Sequence, residues 1–400
     1  MPYVPYHLIG IMLIVVPLIA QVVVYRIVAK YLVEIGASTV FSTRFLPMIF
    51  VVINIPLVLI RMDPRMFMAG SPRHLIMMPY YAYETLSVAI LFVALLSFLL
   101  KLLLRPFFAW RRKRVSDQHH ETTPASRRLF LKKAAIGVGA YTFLGAMYSI
   151  YSRDDYRIED VSLRLKNLPR ELEGLRIVMI SDVHSGLYMT EEDMSRYNEE
   201  VNKLNPDLIF IPGDFVTTKT EEIIPFVKSF SGLRSKFGTF ACLGNHDFFA
   251  NPNIITEKLR ENGISVLRNE TQELEIRNAR LMLSGVDDGE HARFKKVAYE
   301  ANSLDTTHIL LCHKPYYFDT AVAGGFDAML SGHTHGGQIV LANLPGFKLT
   351  PATLVSPYVS GKYYRGDSIM YVSRGVGTVG LPVRLNCPPE ITVFTLEKKS

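Results

Sequence analysis

The chain has 400 residues, with 44 Lys and Arg against 37 Asp and Glu, a net charge of +7, and is 49% hydrophobic. That apolar content excludes a disordered or low-complexity chain, and three cysteines imply no disulfide framework. Residues 1–150 hold 16 Lys and Arg against 5 Asp and Glu, a net of +11, which leaves −4 for residues 151–400 and argues against nucleic acid as a partner of the second part.

In chain order, four apolar spans come first, at about Leu8–Val28, Phe45–Met62, Thr85–Leu104 and Ala134–Tyr151. Each is near the roughly 20 residues a membrane-spanning helix needs. The second contains Pro47 and Pro56, and the fourth is Gly-rich and less apolar. The expected organisation is a three-helix transmembrane region over 1–110, a basic loop over 111–133, a fourth helix or signal anchor over 134–152, and a separate domain over 153–400. Arg111–Arg114, Arg127-Arg128 and Lys132-Lys133 lie between spans three and four, and short loops rich in Lys and Arg stay cytoplasmic. The second domain is then expected on the outer face of the membrane. Ser126-Arg127-Arg128-Leu129-Phe130-Leu131-Lys132 matches a twin-arginine export signal, which implies that export machinery as a partner. No Ala-x-Ala site follows, so the span is expected to remain as an anchor. His119-His120 sits in a polar loop and reads as solvated.

From Arg157 the pattern alternates between strands and helices. Arg157–Leu165 alternates polar and apolar residues and predicts a strand. Predicted helices cover Glu191–Leu204 with a Thr190 cap, Glu221–Leu233, Asn253–Asn262 and Ala292–Ser303. Later strands are predicted over Arg280–Val286, Gly337–Leu341, Ile369–Ser373 and Ile391–Leu396. The fold class is a layered α/β domain after an α-helical membrane region.

Five apolar runs end in polar clusters: Leu175–Ile180 in Asp182 and His184, Leu208–Ile211 in Asp214, Thr239–Leu243 in Asn245, His246 and Asp247, Ile309–Cys312 in His313, and Ala328–Leu330 in His333 and His335. Ligands of open α/β sheets gather beyond the carboxyl ends of the strands, so one rim should collect all five. Carboxylates, imidazoles and an amide are the donors that two divalent cations need, and such a pair can clamp both oxygens of an in-line displacement at phosphorus.

In the order D-x-H, G-D, G-N-H-D, H and G-H-x-H, these motifs resemble the calcineurin-like metallophosphoesterase superfamily over roughly the last 230 residues. The string Gly332-His333-Thr334-His335-Gly336-Gly337-Gln338 is similar to that of its bacterial cell-envelope branch and of transmembrane proteins with a metallophosphoesterase domain. The resemblance implies two facing mixed sheets flanked by helices and two metal ions of Mn, Fe or Zn type. It implies that Asp182, His184 and His335 hold one ion, that Asn245, His313 and His333 hold the other, and that Asp214 bridges them. By the same resemblance His246 faces the scissile phosphate as general acid or electrostatic clamp, and a hydroxide between the metals attacks. Many relatives carry an acid three residues after the bridging Asp, where this chain has Thr217; Thr217 or Asp247 is then expected to orient His246.

Substrate contacts are expected from Asn245, Arg374 and Arg384, with Asp287-Asp288 and Tyr316-Tyr317 also in rim loops. The leading expectation is a membrane-anchored phosphodiesterase or phosphatase of a bacterial cytoplasmic membrane, acting on an envelope or lipid-linked phosphoester. The alternatives are a pyrophosphatase of the UDP-2,3-diacylglucosamine type, in lipid A biosynthesis, and a metal-binding receptor or scaffold without catalysis.

Overall fold

The structure, a computed structural model, describes residues 6–34, 38–62, 155–289, 292–301, 306–344 and 347–399, with isolated positions between 83 and 152. The chain divides into two compact units, Met1–Tyr151 and Ser152–Ser400.

In the first unit, helix α1 (Tyr6–Glu34) contains the stretch Val15–Glu34, long and apolar enough to cross a membrane. Leu18, Ile19, Val22 and Ile27 on it are exposed. Helix α2 (Leu46–Met62) has 17 residues, about 25 Å at 1.5 Å per residue, against a hydrocarbon core of about 30 Å. Among the described residues α1 alone meets the test of a span. Of the four expected membrane helices, the first is therefore the one supported. The third and fourth spans and the twin-arginine segment lie outside the described residues, apart from isolated positions.

The second unit is built on two six-stranded sheets. The first has the order β1 (Arg157–Leu165), β14 (Glu390–Lys398), β2 (Arg176–Met179), β3 (Leu208–Pro212), β4 (Thr239–Cys242), β5 (Ile264–Val266). The second has the order β12 (Gly361–Arg365), β13 (Ser368–Val372), β9 (Ala328–Ser331), β8 (Thr307–Leu311), β7 (Ala279–Gly285), β6 (Glu270–Ile276). Strands β2 to β5 are parallel, as are β7, β8, β9 and β13, while β6, β12 and the β14–β2 pair supply antiparallel ladders. Both sheets are therefore mixed.

Alternation along β2 explains the layers. Ile177 and Met179 enter a core shared by the two sheets with Phe210, Leu283, Leu330 and Phe394, while Val178 faces the other way into a core with helices. Helices α3 (Glu191–Lys203), α4 (Ile223–Phe230) and α6 (Pro252–Glu261) cover that outer face through Tyr197, Phe226 and Leu259. On the second sheet α7 (Phe294–Ala301) and α8 (Phe318–Ala323) do the same through Val297 and Phe318. A strand buried on both faces must be apolar throughout, which is why β3 is buried at every residue.

The local start signals hold. Thr190 caps α3 and accepts from Asp193 N while Asp193 accepts from Thr190 N, the reciprocal pairing of a capping box. Two element expectations are corrected. Gly337–Leu341 is not a strand: a 3-10 turn (His335–Gly337) is followed by Gln338 at φ 54°, and only Ile339 makes an isolated bridge, to Leu385. Strand pairing resumes in the hairpin β10 (Ala342–Leu344) and β11 (Phe347–Leu349). The helix expected from Glu221 begins instead as a 3-10 turn over Thr220–Glu222, with α4 starting at Ile223.

Candidate metal centre

Because β2, β3, β4, β8 and β9 run parallel within their sheets and share one inter-sheet core, their carboxyl ends meet at one rim. There the chain turns sharply: Asp182, His184, Asp214, His333 and His335 all have φ between 49° and 74°. Left-handed backbone at non-glycine residues costs of order 1–3 kcal/mol each and is retained where the surroundings over-determine it. Two close approaches fix the turns further. A Cβ on Gly332 would lie 2.1 Å from Asp182 Oδ2, and one on Gly244 would lie 2.2 Å from Asp214 Oδ1.

The expected ligands fall into two adjoining groups. Asp182, His184 and His335 bring donor atoms within 4.8 Å of one another, and so do Asp214, His313 and His333. Asp214 lies between them, with Oδ2 3.0 Å from His313 Nε2 and 3.5 Å from His184 Nε2. His335 Nε2 is 3.5 Å from Asp182 Oδ1 and 3.1 Å from His184 Nε2. Asn245 is buried beside them at the start of helix α5 (Asn245–Phe249). His184, Asp214 and His246 form a third such group, so the ring of His246 stands at the same site.

Electrostatics and orphaned atoms test whether cations fit. Burial, aided by the neighbouring His246, holds His184 well below the usual imidazole range, and burial takes His335 down to about 4. Both rings are therefore neutral donors. Burial alone would raise the Asp214 carboxyl, but His313, His246 and His184 hold it well below its ordinary value. His184 Nδ1, His335 Nδ1 and Asn245 Oδ1 are buried with no hydrogen-bond partner. A buried polar atom left unpaired costs about 1–3 kcal/mol, and three of them around two carboxylates, Asp182 and Asp214, fit divalent cations of the type that take nitrogen and oxygen donors.

The residues around the ligands hold their orientation. His313 Nδ1 donates to Pro212 O at 2.8 Å, which leaves Nε2 towards Asp214. Asp182 accepts from His333 N at 2.8 Å and from the Ser181 hydroxyl. Asp247 does not orient His246. Its carboxylate accepts from Gly244 N, Asp214 N and Phe215 N at 2.9 Å each and Val216 N at 3.3 Å, tying the β3 and β4 turns together. Burial and the adjacent Asp214 charge push its carboxyl up to about 7, against the pull of those four donors. His246 instead donates from Nδ1 to the backbone carbonyl of Thr217, and its own N–H donates to Asp214 Oδ1 at 2.9 Å. A carbonyl can only accept, so the proton is on Nδ1 and Nε2 faces away from Thr217. The Thr217 hydroxyl is committed elsewhere, to His184 O and Ser185 O.

The structure corrects the expected grip of Arg374 and Arg384 on substrate. Arg384 is 2% exposed, and its guanidinium donates to the carbonyls of Arg374, Gly375, Gly377 and Cys387. Arg374 pairs with Glu159 at 2.7 Å and Glu390 at 3.1 Å. Asp287 is held by Arg268 at 3.0 Å, and Asp288 by Lys314 in a buried pair at 2.7 Å. Tyr317 packs on Phe294, whereas Tyr316 is 42% exposed and lies edge-on to His333 with ring centroids 5.8 Å apart. Sequence reasoning missed the Lys314–Asp288 pair and the Ser181 hydroxyl, since neither belongs to a motif. The adjacency of Lys314 to His313 was the only signal.

Residues 175–337 match the family profile of calcineurin-like phosphoesterase. An uncharacterized metallophosphoesterase of Aquifex aeolicus is 31% identical over 274 residues, covering 66% of this chain and 98% of the relative. The uncharacterized metallophosphoesterase YkuE of Bacillus subtilis is 32% identical over 287 residues, covering 68% and 98%. A transmembrane protein with metallophosphoesterase domain from Danio rerio is 29% identical over 257 residues, covering 60% of this chain and 57% of its own length. With the profile spanning every ligand cluster and two relatives matched over almost their whole length, the chain belongs to the calcineurin-like metallophosphoesterase family and is a metal-dependent phosphoric ester hydrolase.

Proposed function

We propose that the protein is a membrane-anchored dinuclear phosphoesterase that hydrolyses an envelope or lipid-linked phosphoester on the outer face of a bacterial cytoplasmic membrane. The convergence of seven ligand side chains with three orphaned buried donor atoms carries the catalytic part of the reading. The apolar α1 stretch, the net +11 of residues 1–150 and the likeness to proteins named as transmembrane support the anchored part.

Asp182, His184 and His335 would hold one cation, Asn245, His313 and His333 the other, and Asp214 both. When bound, two divalent cations supply Lewis-acid stabilisation of the developing charge and lower the pKa of water. The protein's own part is orientation and proton transfer. His246, fixed through Nδ1 by Thr217 O, presents Nε2 to the leaving oxygen as general acid or electrostatic clamp. Asn245 offers its buried amide to a ligand or a phosphate oxygen. Asp247 keeps the two turns that carry Asp214 and Asn245 in register.

The test is the full chain purified in detergent, stripped with chelator and reloaded with Mn, Fe or Zn. Hydrolysis of bis(4-nitrophenyl) phosphate and of a lipid phosphoester should vanish on stripping and return on reloading. A reporter active only outside the cytoplasm, fused after Ser400, should be active. Metal-independent hydrolysis would overturn the catalytic part, and a silent reporter the orientation.

A further inference from the structure

We infer that residues 341–344 and 347–355 form a lipid-docking surface that sets the mouth of the metal centre against an anionic bilayer. This rests on the phosphoesterase reading for its purpose, but its geometry is independent of it. Within these 13 residues Leu341, Leu344, Leu349, Leu354 and Val355 are exposed by 57%, 59%, 46%, 85% and 70%. Single exposed apolar side chains are ordinary, but a cluster of this kind marks an interaction surface. The hairpin register pairs Ala342 with Leu349 and Leu344 with Phe347, which puts Leu344 and Leu349 on one face of the ribbon. The 3-10 turn Pro351–Leu354 follows directly and carries the most exposed residue of the set.

Charge selects lipid as the occupant. From Ala328 to Gly366, 39 residues, there is no Asp or Glu, while Lys348, Lys362 and Arg365 are present. Apolar side chains with no Asp or Glu among them in the sequence, beside Lys348 with its long apolar stem, suit the headgroup boundary of an anionic membrane, whereas Arg365 pairs with Asp319 at 3.3 Å. A carboxylate there would be repelled by the surface potential. The chain also carries an apolar helix, α1, long enough to cross a membrane.

The segment is joined stiffly to the ligands. It begins a few residues after the His335–Gly337 turn, and Thr350 Oγ1 donates to Gly337 O at 2.9 Å. Thr334, between His333 and His335, donates its hydroxyl to Val359 O beyond the segment's other end. A lipid surface that holds Leu354 therefore holds the histidine turn at a fixed height above it, which favours phosphoesters drawn from the bilayer over those in solution.

The experiment uses the full chain in vesicles of phosphatidylethanolamine and phosphatidylglycerol. The sole tryptophan, Trp110, is replaced by Phe, and Leu354→Trp is introduced as the probe. Lipids brominated near the headgroup should quench Leu354→Trp, and its emission should shift to the blue. Emission like that of tryptophan in water, unquenched by bromine, would overturn the inference. Shielding that rises with protein concentration in detergent, without bromine quenching, would assign the surface to a second copy and overturn it as well. A Leu344→Ser, Leu354→Ser, Val355→Ser variant should lose at least about tenfold in turnover of a lipid phosphoester, since one withdrawn leucine is already worth about that. Its hydrolysis of bis(4-nitrophenyl) phosphate should stay within about twofold; equal effects on both substrates would overturn the docking role. If neither substrate is cleaved by the parent, the phosphoesterase reading fails while the quenching result still decides the docking.

Discussion

Replacing Arg384 by Met separates a structural arginine from a substrate-binding one. In the folded chain its guanidinium donates to Cys387 O at 3.1 Å, Arg374 O at 2.9 Å, Gly375 O at 3.0 Å and Gly377 O at 2.5 Å. Met fills similar space and donates nothing, so four carbonyls lose their donor at about 1 kcal/mol each, roughly 4 kcal/mol in all. Removal of a buried charge that has no carboxylate partner recovers part of this, leaving about 2–4 kcal/mol. With about 2–4 °C per kcal/mol for a unit of this size, Tm should fall by roughly 10 °C. The same loop backs the ligands, since Val376 N donates to Ser181 O at 3.0 Å and Gly377 N to Asp182 O at 2.8 Å. Metal retention should therefore fall with stability. The assay is calorimetry of the metal-loaded chain, metal content after gel filtration, and KM for bis(4-nitrophenyl) phosphate. A variant with the parent's Tm and metal content but a KM raised tenfold would refute the reasoning and return Arg384 to the substrate.

His246→Ala should keep about two metal ions while kcat falls by about 10²–10⁴-fold. The fall should be smaller for a nitrophenyl ester than for an alkyl ester, because the better leaving group needs less protonation; a parallel loss of metal would make His246 a ligand. His308 is buried against Phe326 and its Nε2 lies 3.4 Å from Ser284 Oγ; burial lowers its pKa to about 4. A lowered histidine stabilises fully above its unfolded pKa near 6.5, and that contribution is lost as pH falls through 4. Parent and His308→Gln should therefore differ in pH dependence of unfolding by up to roughly 3 kcal/mol between pH 6.5 and 4. Identical slopes would show that His308 does not titrate this way.

The site was legible because strands buried on both faces read as unbroken apolar runs, each closed by a ligand: Leu208–Ile211 and Asp214 are the plainest case. The partners of those ligands were not. Thr217 acts through its carbonyl, which no side-chain motif records, and Asp247 answers backbone N–H groups from two different turns. Arg384 reads as a surface cation in sequence, yet three of its four acceptors lie on a loop that folds back over it. Ile339 to Leu341 looked like a strand because it is apolar, but the left-handed turn at Gln338 diverts it before any ladder forms. In the first unit, apolar composition identified α1.

Metal content and turnover of Asp214→Asn, measured together against the parent after reloading, test the central claim most directly. Asp214 stands within reach of both ligand groups, 3.5 Å from His184 and 3.0 Å from His313. The parent should hold about two divalent ions per chain, and the variant should lose at least one of them together with most of its activity. Turnover at the parent's rate with both ions retained would contradict the account.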